Sequence, residues 1–96
     1  MNKDFFYIAN WKMYLGFDET IVFTTEHYDE LITLAATPGT KIVLCPSATT
    51  LYPIAEIFYE TPVAIGAQDC SAHRMGSFTG QISAQHVHEI GGTFCI

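Results

Sequence analysis

The feature that most constrains the fold is an alternation of short apolar segments with segments of helical periodicity. Apolar runs rich in β-forming residues begin near positions 5, 40, 62 and 93. Between them, apolar residues recur at the spacing of one helix face. Runs that are apolar almost throughout suit strands buried on both faces, and strands that alternate with helices pair in parallel. The chain is therefore predicted to be α/β in the order βαβαβαβ, with right-handed crossovers.

The first predicted helix is the longest, at about 18 residues. Asp18 is its expected N-cap, and Pro38-Gly39 is expected to end it. Its apolar face is predicted to consist of Phe17, Ile21, Tyr28, Leu31, Ile32 and Ala35.

The other two helices carry weaker end signals. Ser47 is a candidate cap for the second, and Pro53 is expected to make its early turns irregular. Ser83 is predicted to cap a short third helix that Gly91-Gly92 ends.

Charge and composition exclude several classes of partner. Four Lys and Arg residues stand against ten Asp and Glu, for a net charge of −6. Four scattered cations cannot neutralise a run of phosphates, so nucleic acid is not an expected partner. No apolar run approaches the roughly 20 residues of a membrane span, and the first is too short for a signal peptide core. We therefore expect no membrane association and a cytoplasmic location.

The low charged fraction, 15%, indicates that part of the surface is covered by more protein. Cys45, Cys70 and Cys95 form no Cys-x-x-Cys pair, so they are interpreted as reduced thiols.

Polar residues follow the predicted strands, where ligands bind in parallel α/β sheets. These strand ends are Asn10-Trp11-Lys12, Pro46-Ser47 and Gln68-Asp69. A lysine just beyond a buried strand can meet an anion as a compact charge. Asn10 can donate to a substrate hydroxyl or fix the ammonium group. The alternative is an ordinary polar strand end with a solvated Lys12.

The remaining candidates are less specific. His86 and His88 point to opposite sides of a helix, so they cannot chelate one metal. No zinc spacing is present, so neither a metal site nor a cofactor is predicted. The long loop over residues 68–80 contains glycines but no phosphate-loop pattern. Met75 and Phe78 lie near its tip, where they suit insertion into another surface; Phe78 alternatively folds back on its own core.

Three segments in register resemble the triosephosphate isomerase family. They are Ala9-Asn10-Trp11-Lys12-Met13, Ile65-Gly66-Ala67-Gln68-Asp69 and Gly76-Ser77-Phe78-Thr79-Gly80-Gln81-Ile82-Ser83-Ala84. The similarity extends from about residue 6 to residue 96. The resemblance implies the N-terminal part of a TIM (β/α)8 barrel, with residues 1–96 forming a partial domain of four strands and three helices.

The resemblance also implies an activity and its site residues. The family interconverts dihydroxyacetone phosphate and glyceraldehyde 3-phosphate through an enediolate, in glycolysis and gluconeogenesis, as a homodimer without a cofactor. Asn10 and Lys12 match the substrate-binding pair, and Lys12 would stabilise negative charge in the transition state. In the family, the loop carrying Met75, Phe78 and Thr79 inserts into the partner subunit, where the threonine steadies that pair. Gln68 matches a residue beside the pair and the loop.

The sequence also departs from the family pattern. The family's catalytic histidine and glutamate would follow residue 96, and three and a half βα units stand against the eight of a barrel. The chain is therefore expected to be a fragment, inactive alone and poorly soluble because its sheet edges are open. One alternative is a non-catalytic half-barrel module, or a decayed gene product, that binds another half barrel. Another is a flavodoxin-like binding protein, which would need a phosphate loop after the first strand.

Overall fold

The computed structural model describes residues 3–96, so positions 1 and 2 of the predicted domain lie outside the described range. Four parallel strands form a curled half-barrel in the order β1-β2-β3-β4. The strands are β1 (Phe5–Asn10), β2 (Thr40–Cys45), β3 (Ala64–Ala67) and β4 (Phe94–Cys95). The helices are α1 (Phe17–Glu26), α2 (Tyr28–Ala35), α3 (Leu51–Ile57) and α4 (Ala84–Glu89). The predicted α/β class and parallel strand order are confirmed.

The core lies between the sheet and its helices. It is built on one face of β2 and β3, because successive side chains of a strand point to opposite faces. Its buried apolar members are Ala35, Ile42, Leu44, Leu51, Ile54, Ala55, Phe58, Val63, Ile65, Ala67 and Val87. The core therefore fixes the relative positions of β2 and β3, whose carboxyl ends carry candidate site residues.

Strand β1 is exposed, contrary to the prediction that it is buried on both faces. Phe5, Phe6, Tyr7 and Ile8 are each more than half exposed. The reason is that β1 is an edge strand, paired only with β2 in the part of the chain that the structure describes. The Phe6 ring nevertheless meets the ring of Phe94 on β4, with ring centroids 6.0 Å apart. Because β1 and β4 are not neighbours in the sheet, this contact reflects its curl.

The predicted 18-residue helix is two helices. The chain breaks at His27, with φ −104° and ψ 10°, and its ring packs against Phe23 with centroids 4.5 Å apart. Helix α1 is capped by Gly16 and not by Asp18, which lies inside its first turn. Phe17, predicted to lie on the apolar face, is 53% exposed.

Threonines fill the buried positions of α1 instead. The Thr20 and Thr24 hydroxyls donate to the backbone carbonyls of Gly16 and Thr20, at 2.6 and 2.7 Å. Each hydroxyl is thereby satisfied within the helix, so these residues are buried at little cost. Because threonine is polar, a search for apolar residues at helical spacing does not find this buried face.

Of the other helix predictions, the cap at Ser47 is wrong: Ser47 precedes a 3-10 turn without a side-chain cap, and Thr50 is the N-cap of α3. The remaining ones agree with the structure. A 3-10 turn at Ala48–Thr50 precedes α3, as the early Pro53 suggested. The Ser83 hydroxyl caps α4 by accepting a hydrogen bond from the Gln85 N–H at 3.1 Å. Within residues 3–96, no helix is long and apolar enough to cross a membrane.

Candidate active site

The carboxyl ends of three strands meet at Gln68. Its side-chain Nε2 donates to the backbone carbonyl of Lys12 at 2.8 Å and to that of Cys45 at 3.0 Å. Cys45 pairs with Asn10 in the β1–β2 register, and Gln68 follows β3 directly. One amide group therefore ties the chain just beyond β1 to the ends of β2 and β3.

Lys12 has a left-handed backbone, with φ +52°. Such a conformation is uncommon for a residue with a side chain and costs on the order of 1–3 kcal/mol. Side chains hold the backbone of this residue from both sides. The Lys12 N–H donates to the Asn10 side-chain oxygen at 3.0 Å, and its carbonyl accepts from Gln68. By holding this strained backbone in place, Asn10 and Gln68 fix the direction in which the Lys12 side chain leaves the chain.

The oxygen and the NH₂ group of the Asn10 side chain have different roles. Its oxygen accepts from the Lys12 N–H. Its NH₂ group supplies two further donors. Asn10 therefore combines a structural contact with the capacity to donate to a ligand oxygen.

An open cavity of about 640 Å³ lies over this strand edge. It is lined by Asn10, Lys12, Met13, Ser47, Ala48, Thr49, Gln68 and Asp69. Small-molecule sites have volumes of roughly 300–1,000 Å³, so the space suits a small ligand. The cationic end of Lys12 and the donors of Asn10 make one side of the cavity suited to an anionic, oxygen-rich molecule. Of the strand-end residues singled out in the sequence, Asn10, Lys12, Ser47, Gln68 and Asp69 all line it.

The long loop between β3 and α4 is organised by its own contacts. His73 and Phe78 stack with ring centroids 4.0 Å apart and an interplanar angle of 3°. Arg74 Nε donates to the Gln85 side-chain oxygen at 2.8 Å, and the Ser83 hydroxyl donates to the Arg74 carbonyl at 2.8 Å. These bonds anchor the loop to the start of α4.

The loop tip presents its side chains outward. Met75 is 73% exposed, and Thr79 is also exposed. Phe78 stacks on His73 and is no member of the core, so the alternative that it folds back on the core is wrong. Sequence reasoning missed the role of His73, because a loop histidine five residues from an aromatic carries no distinctive signal. The structure brings Met75, Phe78 and Thr79 into one loop, apart from the cavity over Lys12.

In the described part of the chain, the titratable groups outside this cavity form no metal centre. Among residues 3–96, no group of three or more His, Cys, Asp or Glu side chains is arranged to hold a metal ion. None of the four histidines lines the cavity over Lys12. The chemistry available at this strand edge is therefore that of Lys12, Asn10 and their polar neighbours.

Comparison with known proteins decides the family. The sequence profile of triosephosphate isomerase matches residues 5–96. The chain belongs to the triosephosphate isomerase family. The triosephosphate isomerase of Aquifex aeolicus is 34% identical over 89 residues, which cover 92% of this chain and 34% of the relative. The L-erythrulose-1-phosphate isomerase of Pectobacterium atrosepticum is also 34% identical, over 83% of this chain and 32% of the relative.

A solved structure supports the fold. The crystal structure of triosephosphate isomerase from Bartonella henselae superimposes with a TM-score of 0.73 and 24% sequence identity. The match covers 94% of this chain and 35% of that chain. The chain thus corresponds to the N-terminal part of a TIM barrel, and it spans about a third of the length of the relatives it matches.

Proposed function

We propose that this chain supplies the substrate-anchoring part of a triosephosphate isomerase, which interconverts dihydroxyacetone phosphate and glyceraldehyde 3-phosphate. The observation that carries the proposal is the pair of hydrogen bonds from Gln68, which helps hold Lys12 at the edge of a cavity of suitable size. Family membership supplies the reaction class. The proposed setting is glycolysis and gluconeogenesis in the cytoplasm, with residues 1–96 as a partial barrel domain.

The reaction moves a proton between neighbouring carbon atoms. A base removes a proton from the carbon beside the carbonyl, negative charge develops on the oxygen atoms of an enediolate, and a proton returns to the other carbon. No net oxidation occurs, so the proposed mechanism needs no cofactor. Lys12 would pair with the phosphate and with the developing enediolate charge, and Asn10 would donate to a substrate oxygen. A charge fixed in advance stabilises the transition state without reorganisation during the reaction.

The proposed base and electrophile lie outside this chain. In the family resemblance they are a glutamate and a histidine that follow residue 96. Binding without a base or an electrophile gives little acceleration, so we expect the isolated 96-residue chain to be inactive.

The proposal is testable in a grafted barrel, in which residues 5–96 replace the aligned segment of the Aquifex aeolicus enzyme. We expect the grafted barrel to convert glyceraldehyde 3-phosphate, and the isolated chain to show no turnover. Turnover by the isolated chain that Lys12→Ala abolishes would contradict the assignment of the base to another segment.

The same grafted barrel distinguishes between substrates. One relative is named for a triose phosphate and the other for L-erythrulose 1-phosphate, which is one carbon longer. The proposal predicts a higher kcat/KM for glyceraldehyde 3-phosphate than for L-erythrulose 1-phosphate. A higher kcat/KM for L-erythrulose 1-phosphate would leave the isomerase mechanism in place but make that compound the proposed substrate.

Removing the side-chain donors of Gln68 is expected to loosen the site. Gln68→Leu would leave the carbonyls of Lys12 and Cys45 without this partner, which costs about 1–3 kcal/mol in stability. We expect kcat/KM of the grafted barrel to fall, because Lys12 loses one of its two supports. Gln81→Leu in the exposed loop is the matched control. Equal effects of the two substitutions on turnover would show that Gln68 does not hold Lys12 in its active position.

The long loop is the proposed contact with a second subunit. Met75, Phe78 and Thr79 project from it, and Gln68 lies at its base. Phe78→Asp places a charge where an apolar contact is proposed, so we expect the dimer dissociation constant of the grafted barrel to rise about 100-fold, a shift typical of a central interface residue. Tyr59→Asp, which alters an aromatic residue on another surface, is the control in sedimentation equilibrium. An unchanged dimer in Phe78→Asp would exclude this loop as the interface.

A second candidate function rests on β1. Its edge is open within the described chain, and its side chains are exposed and apolar. These features also favour a non-catalytic half-barrel module that binds another half barrel through that edge. A stable dimer of the isolated chain that Tyr7→Pro disrupts would support the module, whereas an active grafted barrel supports the enzyme.

A further inference from the structure

Two cysteines from separate segments share one cavity on the helix-covered side of the sheet. Cys95 lies in β4 and pairs in register with Ala67, and the Ile96 N–H donates to the Ala67 carbonyl at 3.0 Å. Cys70 lies three residues beyond Ala67. Both thiols line a cavity of about 210 Å³ beside α4, together with His88. The fold thus joins residues that are 25 positions apart in the sequence.

Burial raises the pKa of Cys70 and the neighbouring Cys95 contributes to this rise, in keeping with the position of the two thiols in one cavity. The Cys95 Sγ donates to the Ile96 carbonyl at 3.6 Å. Neither thiol is engaged in a disulfide bond, and Cys95 is exposed.

The third cysteine belongs to a different environment. Cys45 follows Leu44, whose side chain is in the core between sheet and helices, so alternation places Cys45 on the opposite face. Its Sγ lies 3.0 Å from where a Cβ would stand on Gly66. Cys45 is fully buried there and is not part of the cavity between β4 and α4.

We propose that Cys70 and Cys95 form an oxidant-responsive pair, which closes to an intramolecular disulfide and ties the base of the long loop to β4. The oxidant class is a peroxide. The Cys95 sulfur attacks a peroxide oxygen, the O–O bond breaks, and with hydrogen peroxide one water leaves as Cys95 becomes a sulfenic acid. The Cys70 sulfur then attacks that sulfur, the S–O bond breaks, and the hydroxyl leaves as a second water with the thiol proton of Cys70.

The environments of the two thiols set this order. Burial, followed by the neighbouring Cys95 and the nearby charge of Asp69, raises the pKa of Cys70 to about 11. Little of Cys70 is thiolate at neutral pH, and only the thiolate is a good nucleophile. The exposed Cys95 is therefore the first site of attack. Cys70 resolves the sulfenic acid because it shares a cavity with Cys95, and this proximity offsets its small thiolate fraction.

The disulfide would constrain the segment between the two residues. That segment contains the long loop and α4, and the loop base is held in the reduced state by the Ser71 N–H donating to the Ile82 carbonyl at 2.7 Å. Asp69, next to Cys70, lines the cavity over Lys12. Oxidation would thus restrain the loop at the point where it adjoins the candidate active site.

The test is thiol mapping of the expressed chain after hydrogen peroxide treatment. The chain is fully reduced, exposed to peroxide, alkylated under denaturing conditions and analysed by peptide mass spectrometry. We expect the number of alkylated cysteines to fall from three to one, with Cys45 remaining, and a Cys70–Cys95 linked peptide two hydrogen atoms lighter than its reduced parts.

Three variants make the result specific. Cys70→Ser is expected to lose the linked peptide and to accumulate sulfenic acid on Cys95, which a dimedone-type reagent traps. Cys95→Ser is expected to lose the cross-link, and Cys45→Ser to keep it. Retention of three free thiols, a cross-link that includes Cys45, or exclusively intermolecular disulfides would overturn the proposal. Because the readout is covalent, failure of the isomerase proposal would leave it unaffected.

Discussion

Replacing Lys12 by alanine in the grafted barrel is expected to lower kcat/KM for glyceraldehyde 3-phosphate by about 10²–10³-fold, the loss typical when one electrostatic contact to a developing oxyanion is removed. The substitution deletes the positive charge beside the cavity and leaves the backbone contacts of the residue available to Asn10 and Gln68. Because the charge is proposed to act on both the bound phosphate and the transition state, we expect a higher KM together with a lower kcat. Steady-state kinetics at constant ionic strength measure both.

Two control variants distinguish the loss of the Lys12 charge from a general loss of stability or folding. Lys41→Ala removes an exposed lysine outside the cavity, so it should leave kcat/KM unchanged. Lys12→Arg keeps the charge but changes its shape and hydration, so we expect it to remain well below the parent. Lys12→Ala activity equal to that of Lys41→Ala would show that Lys12 does not contact the substrate.

The largest expected effect on stability comes from Phe58→Ala. Phe58 follows α3, is 2% exposed, and stacks on Tyr28 with ring centroids 5.4 Å apart. Truncating a buried phenylalanine costs about 3–5 kcal/mol, because apolar contact is lost and a cavity remains. In a barrel of usual size, this corresponds to a fall of about 6–20 °C in the unfolding midpoint.

The neighbouring residue is the matched control. Tyr59 is 74% exposed, so Tyr59→Ala should change stability by no more than about 0.5 kcal/mol. Thermal unfolding of the two grafted variants, followed by circular dichroism, makes the comparison. Similar midpoints would mean that α3 does not pack on the sheet as described.

The strand order and the strand-end site were predictable because both follow from local patterns. Buried runs such as β2 are apolar whatever surrounds them, and parallel pairing then brings their carboxyl ends to one edge. The exposure of β1 was not predictable in the same way. Its apolar sequence is that of a buried strand, whereas its exposure depends on which protein segments lie beside it.

Other differences between prediction and structure arise from interactions that do not change the spacing of apolar residues. The break at His27 interrupts a segment whose apolar spacing continues unchanged, and Thr20 and Thr24 are buried through hydrogen bonds to their own helix. The sequence and its family resemblance placed Gln68 near the strand-end pair. They did not show that its amide clamps the carbonyl of Lys12, because that contact spans 56 positions in the sequence.

Asn10 and Lys12 of this chain are proposed to supply the contacts of an isomerase with its anionic substrate. The turnover of the unmodified grafted barrel tests this proposal. We expect the grafted barrel to interconvert glyceraldehyde 3-phosphate and dihydroxyacetone phosphate with a kcat/KM within about tenfold of the parent Aquifex aeolicus enzyme, a difference of about 1.4 kcal/mol in transition-state stabilisation. A grafted barrel that folds and dimerises like the parent but converts neither substrate at a measurable rate would contradict it.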